Sequence, residues 1–110
     1  FDFAAEAFRK AQQADPDLGI AYWGEAMSRC ISIFWGIEDL PRGRAILKRA
    51  AGRPHLHVTS RESRLLSAAR AFFGEGDRDL RLEAYLGEMR QAIQEYPDDV
   101  EVHLLWLLGY

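Results

Sequence analysis

Little in this chain invites a disulfide, a membrane span or a bound phosphate. It holds a single cysteine, Cys30, among 110 residues, so no bridge can form within it and its fold must rest on packing. No run of about 18 apolar residues occurs, which excludes a membrane-spanning helix. The glycines form neither a phosphate-binding loop nor a dinucleotide fingerprint, and Gly74 and Gly76 read as a helix connection. Charge of one sign is not dominant either. The net charge is −3, with Lys and Arg scattered, so nothing recommends nucleic acid as a partner. Strand-like alternation of apolar and polar residues is missing throughout.

What remains is a chain with 48% hydrophobic and 28% charged residues, the composition of a folded domain rather than a disordered one. Its length suits one domain able to bury a core without metal or disulfide. Apolar residues recur in threes and fours, most regularly at Leu82, Tyr85, Leu86, Met89, Ala92, Ile93 and Tyr96, the spacing of one helix face. Six helices are expected, at approximately 2–14, 18–34, 41–51, 60–73, 78–96 and 99–109.

Their boundaries follow from local chemistry. Pro16 and Pro97 lack an amide hydrogen and disfavour a helical residue before them, so each ends a helix. Asp39 is placed to cap the third helix, with Pro41 in its first turn, and Gly52 to end it. Thr59 and Glu62 form a candidate capping box, as do Asp98 and Glu101. Asp77 or Asp79 caps the fifth helix. The residues from Trp35 to Asp39 read as a loop. Short connections make neighbouring helices antiparallel.

Ala4, Phe8, Ala11 and Pro16 fall at the spacing of the second helix of a tetratricopeptide repeat (TPR), in which small residues admit a neighbouring helix and an aromatic fills the gap. Pro97 lies 81 positions beyond Pro16 (97 minus 16), and the spacing is partly kept there by Tyr85, Met89 and Ala92 before it and His103 and Tyr110 after it. At Tyr22-Trp23-Gly24-Glu25-Ala26, Thr59-Ser60-Arg61-Glu62 and Tyr96-Pro97-Asp98-Asp99 the chain resembles a group of bacterial TPR proteins of poorly defined function. The resemblance spans nearly the whole chain. It implies an all-α fold of antiparallel hairpins stacked as a right-handed superhelix, a single repeat domain over 1–110. It brings no catalytic residues. The chain opens at Phe1 inside the repeat pattern and closes just after an apolar run, so a fragment of a longer protein is expected.

Candidate chemistry is sparse. His55 and His57 are two ligands where a zinc site wants three or four, and a solvent-exposed loop is the expected reading, with no metal. A carboxylate beside Trp23 or Trp35 (Glu25, Glu38 or Asp39) would have a raised pKa if buried. Capping by Asp39 and a surface position for Glu25 are the simpler expectations. Cys30 has no histidine partner in sequence and suits a small buried hydrophobe. No catalytic residue and no cofactor are therefore expected, and the chain does not read as an enzyme.

The functional candidate is a surface. Trp23, Met27 and Cys30 recur at i, i+4 and i+7, and so share a helix face beside Tyr22 and Ala26. In a standard repeat that face lines the concave groove, where it would grip a protein or peptide partner. The competing reading packs the same residues against the fourth helix or a preceding repeat. The runner-up function is a helical small-ligand-binding domain, part of an enzyme whose catalytic residues lie elsewhere. Self-association through the apolar run Leu104–Leu108 is a third possibility.

Overall fold

A computed structural model describes the backbone of residues 2–32 and 37–108, and the side chains of residues 4–28 and 39–106. Expectations for Phe1, Ile33, Phe34, Trp35, Gly36 and Tyr110, and for the side chain of Cys30, lie outside these residues.

The fold is all-α. Six helices run as α1 (Asp2–Ala14), α2 (Gly19–Cys30), α3 (Leu40–Ala51), α4 (Ser60–Phe72), α5 (Arg78–Glu95) and α6 (Val100–Leu108). They form two compact units, Phe1–Thr59 and Ser60–Tyr110. In the first, α2 packs against both α1 and α3; in the second, α5 packs against both α4 and α6.

The second helix ends earlier than its apolar content suggests. Its expected span reached residue 34, but α2 stops at Cys30. Ile31 and Ser32 instead pair antiparallel with Ile37 and Glu38, where β-branched Ile31 and Ile37 are well suited. This two-residue ladder leads straight into Asp39, whose carboxylate accepts from the Arg42 N–H at 3.3 Å at the start of α3. Asp77 caps α5 in the same way, accepting from Leu80 N–H at 3.0 Å. Just before it, Gly76 takes φ +102°, a conformation that costs a residue with a Cβ. At α6 the cap is Asp99, which accepts from Val102 N–H at 3.2 Å, not the expected Asp98. With Pro97 breaking the chain, the helix begins one residue later than the Asp98–Glu101 spacing suggests.

Both proline corners are built alike. Asp15 N–H donates to Ala11 O at 2.9 Å and Tyr96 N–H to Ala92 O at 2.8 Å; Leu18 N–H donates to Asp15 O and Asp99 N–H to Tyr96 O, each at 3.1 Å. A ring six residues past each proline then ties the corner down. Tyr22 Oη donates to Pro16 O at 2.6 Å, and His103 Nε2 meets Pro97 O at 2.8 Å. The second case requires the proton on Nε2, since a carbonyl only accepts.

Each unit has its own core. In the first, Ala5, Ala21, Tyr22, Ala26, Ile46, Leu47 and Ala50 are buried. Phe8 lies on Gly24 so closely that a Cβ there would sit 2.3 Å from its ring. In the second, Phe72 meets Phe73 and Tyr85 edge-on, with centroids 5.2 and 6.0 Å apart. This arrangement is favoured by the ring quadrupoles. Leu65, Leu66, Met89 and Val102 complete it.

Candidate functional site

Helix α2 is apolar nearly all round, and its one acidic residue sits in the middle. Glu25 was expected at the surface, yet it is 0% exposed. Three partners from two neighbouring helices explain this. Arg9 Nη1 of α1 donates to Oε2 at 2.9 Å, Gln12 Nε2 of α1 to Oε1 at 2.9 Å, and Arg49 Nη2 of α3 to Oε1 at 2.9 Å. Gln12 also donates to Ala21 O at 3.2 Å, which fixes its amide orientation. Burial alone pushes the Glu25 pKa upward. Hydrogen bonds from Gln12 and Arg9, with the charges of Arg9 and Arg49, outweigh that and hold it below the usual carboxylate range.

Such a carboxylate is ionised at neutral pH and has both oxygens engaged. It is a poor general acid, which needs a held proton, and a poor base, since its pKa is lowered and the carboxylate is shut off from solvent. Its role is to cross-link α1, α2 and α3. The arginines keep their outer sides in water, with side chains 42% and 44% exposed, so only the anion is fully desolvated.

This pin sets which way α2 faces. Ala21, Tyr22, Gly24, Glu25 and Ala26 are buried, while Ile20, Trp23 and Met27 are only half-buried. Trp23 and Met27 therefore share the partly exposed stripe, four residues apart as one helix face requires. Cys30, the third member of that set, lies at the end of α2.

His55 and His57 have exposed side chains, and their loop is held by its backbone. His57 N–H donates to Asp17 O at 2.6 Å and Gly19 N–H to His57 O at 3.0 Å. Arg53 Nε adds an ion pair to Asp17 at 2.9 Å. Among the described residues, no three side chains of metal-binding type converge, and no helix is long and apolar enough to cross a membrane.

Two features escaped the sequence reading. Arg81 is 4% exposed and caps the preceding segment, its Nη1 donating to Phe72 O at 3.0 Å and its Nε to Gly76 O at 3.2 Å. Its guanidinium also lies 5.6 Å from the Phe72 ring centre, within cation–π range. The second feature is charge. The cations Arg42, Arg44, Lys48, Arg49 and Arg53 all fall between Leu40 and Thr59, a stretch without Asp or Glu, so they are more concentrated than scattered. Two of them are spent on Glu25 and Asp17.

No protein-family model matches this chain, and neither does a curated protein or a solved structure.

Proposed function

We infer that the chain is an interaction module: a TPR-like helical array that holds a protein or peptide partner on the α2 face carrying Trp23 and Met27. One observation carries this reading. A tryptophan and a methionine stay partly exposed on a helix whose other face is fully buried and electrostatically pinned. Rigid, half-exposed aromatics are the usual anchors of protein interfaces. The repeat reading draws support from the two proline corners with matching bonds and from Phe8 seated on Gly24. A non-catalytic role draws support from the engagement of both Glu25 oxygens in structural hydrogen bonds.

The test compares wild type with Trp23→Ala/Met27→Ala in affinity capture, with folding checked by circular dichroism. Any captured protein is then purified and titrated directly. A partner bound by wild type and weakened about tenfold or more by the double change supports the reading. Equal binding to both proteins moves the interface elsewhere, and a lysate that yields no specific partner removes its basis.

A further inference from the structure

The second proline corner is a counterpart of the first that lacks its cover: Arg61 of α4 pairs with Asp99 and Glu101 beside the turn, but the face through Asp98, Val100 and Leu104 is exposed. Residues 15–19 and 96–100 correspond at the same 81-residue offset and share their turn bonds. At the first corner, the segment after α3 closes over the turn. His57 bridges Asp17 O and Gly19 N through its backbone, Arg53 pairs with the Asp17 carboxylate, and Val58 fills the space over Gly19. At the second corner the matching residues are Asp98 and Val100. Asp98 is exposed and Val100 is 70% exposed. Leu104, one turn further on the same face, is 56% exposed, whereas its counterpart Trp23 is half-buried. As the first residue of α6, Val100 has no intrahelical acceptor for its N–H.

We propose that the α5–α6 corner docks a basic amphipathic helix with an extended tail, a partner segment built as α3 and residues 52–58 are built. Charge points to this occupant. Residues 40–59 carry five Lys/Arg and no acid, whereas residues 60–110 carry ten Asp/Glu against six Arg. A cation from the docked segment meets Asp98 as Arg53 meets Asp17. Its tail bridges Asp98 O and Val100 N–H, and its apolar residues cover Val100 and Leu104. Val100 also sets a specificity. Its side chain stands where Val58 sits at the first corner, since Val58 Cγ1 is only 2.2 Å from a Cβ built on Gly19. The docked tail therefore needs a glycine or alanine at that place. This proposal does not use the Trp23 face, so the two readings stand or fall independently.

The probe is a fluorescent peptide with the sequence of residues 40–59 carrying Val58→Gly, titrated with the full chain at low salt and followed by anisotropy. Saturable binding is expected. Leu104→Glu and Asp98→Arg should each weaken it about tenfold or more, while Glu83→Gln, on the exposed side of α5, leaves it unchanged. The unmodified peptide, with its valine, should bind more weakly. Leu104 and Asp98 are exposed, and circular dichroism checks that both variants fold. Binding no tighter than that of a scrambled peptide overturns the proposal. So does undiminished affinity for Leu104→Glu, which would place the peptide elsewhere on the protein.

Discussion

Replacing Glu25 tests the electrostatic pin at the centre of the first unit. Breaking a buried ion pair costs about 3–5 kcal/mol when the charge left behind stays buried. Here the charges left behind are Arg9 and Arg49, which are nearly half exposed and can rehydrate in place, so most of that cost disappears. Two contributions survive in Glu25→Ala. The lost charge-assisted bonds, chiefly that of buried Gln12, amount to about 1.5–3 kcal/mol. The space vacated by a methylene and a carboxylate adds about 1 kcal/mol. The sum, about 3 kcal/mol, is a large share of the roughly 5–15 kcal/mol that holds a domain folded. Urea denaturation followed by circular dichroism should therefore show a lower midpoint with an unchanged slope.

Glu25→Gln keeps the shape and removes the charge, turning one acceptor toward the arginines into a donor. A loss of about 2 kcal/mol is expected. Because the folded pKa of Glu25 lies below its ordinary value, the native state binds this proton less readily than the unfolded chain. Its stabilising contribution is thus complete above the unfolded pKa, about 4.3, and fades as pH falls through the folded value. The gap between wild type and Glu25→Gln should be constant near neutrality and close in acid. A Glu25→Ala change costing under about 0.5 kcal/mol, or a gap that ignores pH, would refute the pin.

Other consequences are as direct. Gly24→Ala drives a methyl into the Phe8 ring and should cost about 1–3 kcal/mol; pairing it with Phe8→Leu should recover part of the loss in a double-mutant cycle. Gly76→Ala forces a Cβ into the left-handed region, at about 1 kcal/mol by chemical denaturation. Asp77→Ala removes the α5 cap and should cost about 1 kcal/mol, with Asp77→Ser largely restoring it. Burial pushes the Tyr85 hydroxyl up to about 12, so the native fold favours the protonated phenol. Its contribution is complete below the unfolded pKa, about 10, and is lost as pH rises through 12. The difference between the ultraviolet titrations of wild type and Tyr85→Phe should be a single phenol ionising near pH 12.

Local signals in the sequence proved readable where the physics is local. Asp39 and Asp77 cap the helices they precede, and Pro16 and Pro97 turn the chain, because each acts within a few residues. The early end of α2 was obscured, since Ile31 and Ser32 continue an apolar run that suits a helix as well as a ladder. The Glu25 site was hidden for another reason. Its partners Arg9 and Arg49 lie 16 and 24 residues away in the chain, and no spacing rule links them. One signal was available: a lone carboxylate inside a helix with no polar face must be either solvated or paired, and here there was no polar face to solvate it. Arg81 carried a similar sign, a cation one turn before Tyr85 on the apolar stripe of α5.

These two buried charges supply what the hydrophobic pattern cannot. A helix apolar on every side gains nearly the same burial at several rotations about its axis, so α2 has no preferred face on hydrophobic grounds alone. Three contacts remove the degeneracy. Gly24 must meet Phe8, because only glycine admits the ring there. Tyr22 must reach Pro16 O. Glu25 must reach Arg9, Gln12 and Arg49 together, or leave a charge buried without a partner. At about 100° per residue, Tyr22, Gly24 and Glu25 fall within one arc of about 160°. The opposite arc, through Ile20, Trp23 and Met27, makes no such demand, and it is the arc that stays partly open. The exposure of Trp23 is thus the geometric remainder of a specified interior. Loosening the interior at Glu25 should blur the Trp23 face as well. Acrylamide quenching of Trp23 fluorescence, in a background with Trp35 and Trp106 replaced by phenylalanine, should change in Glu25→Gln even where the fold persists.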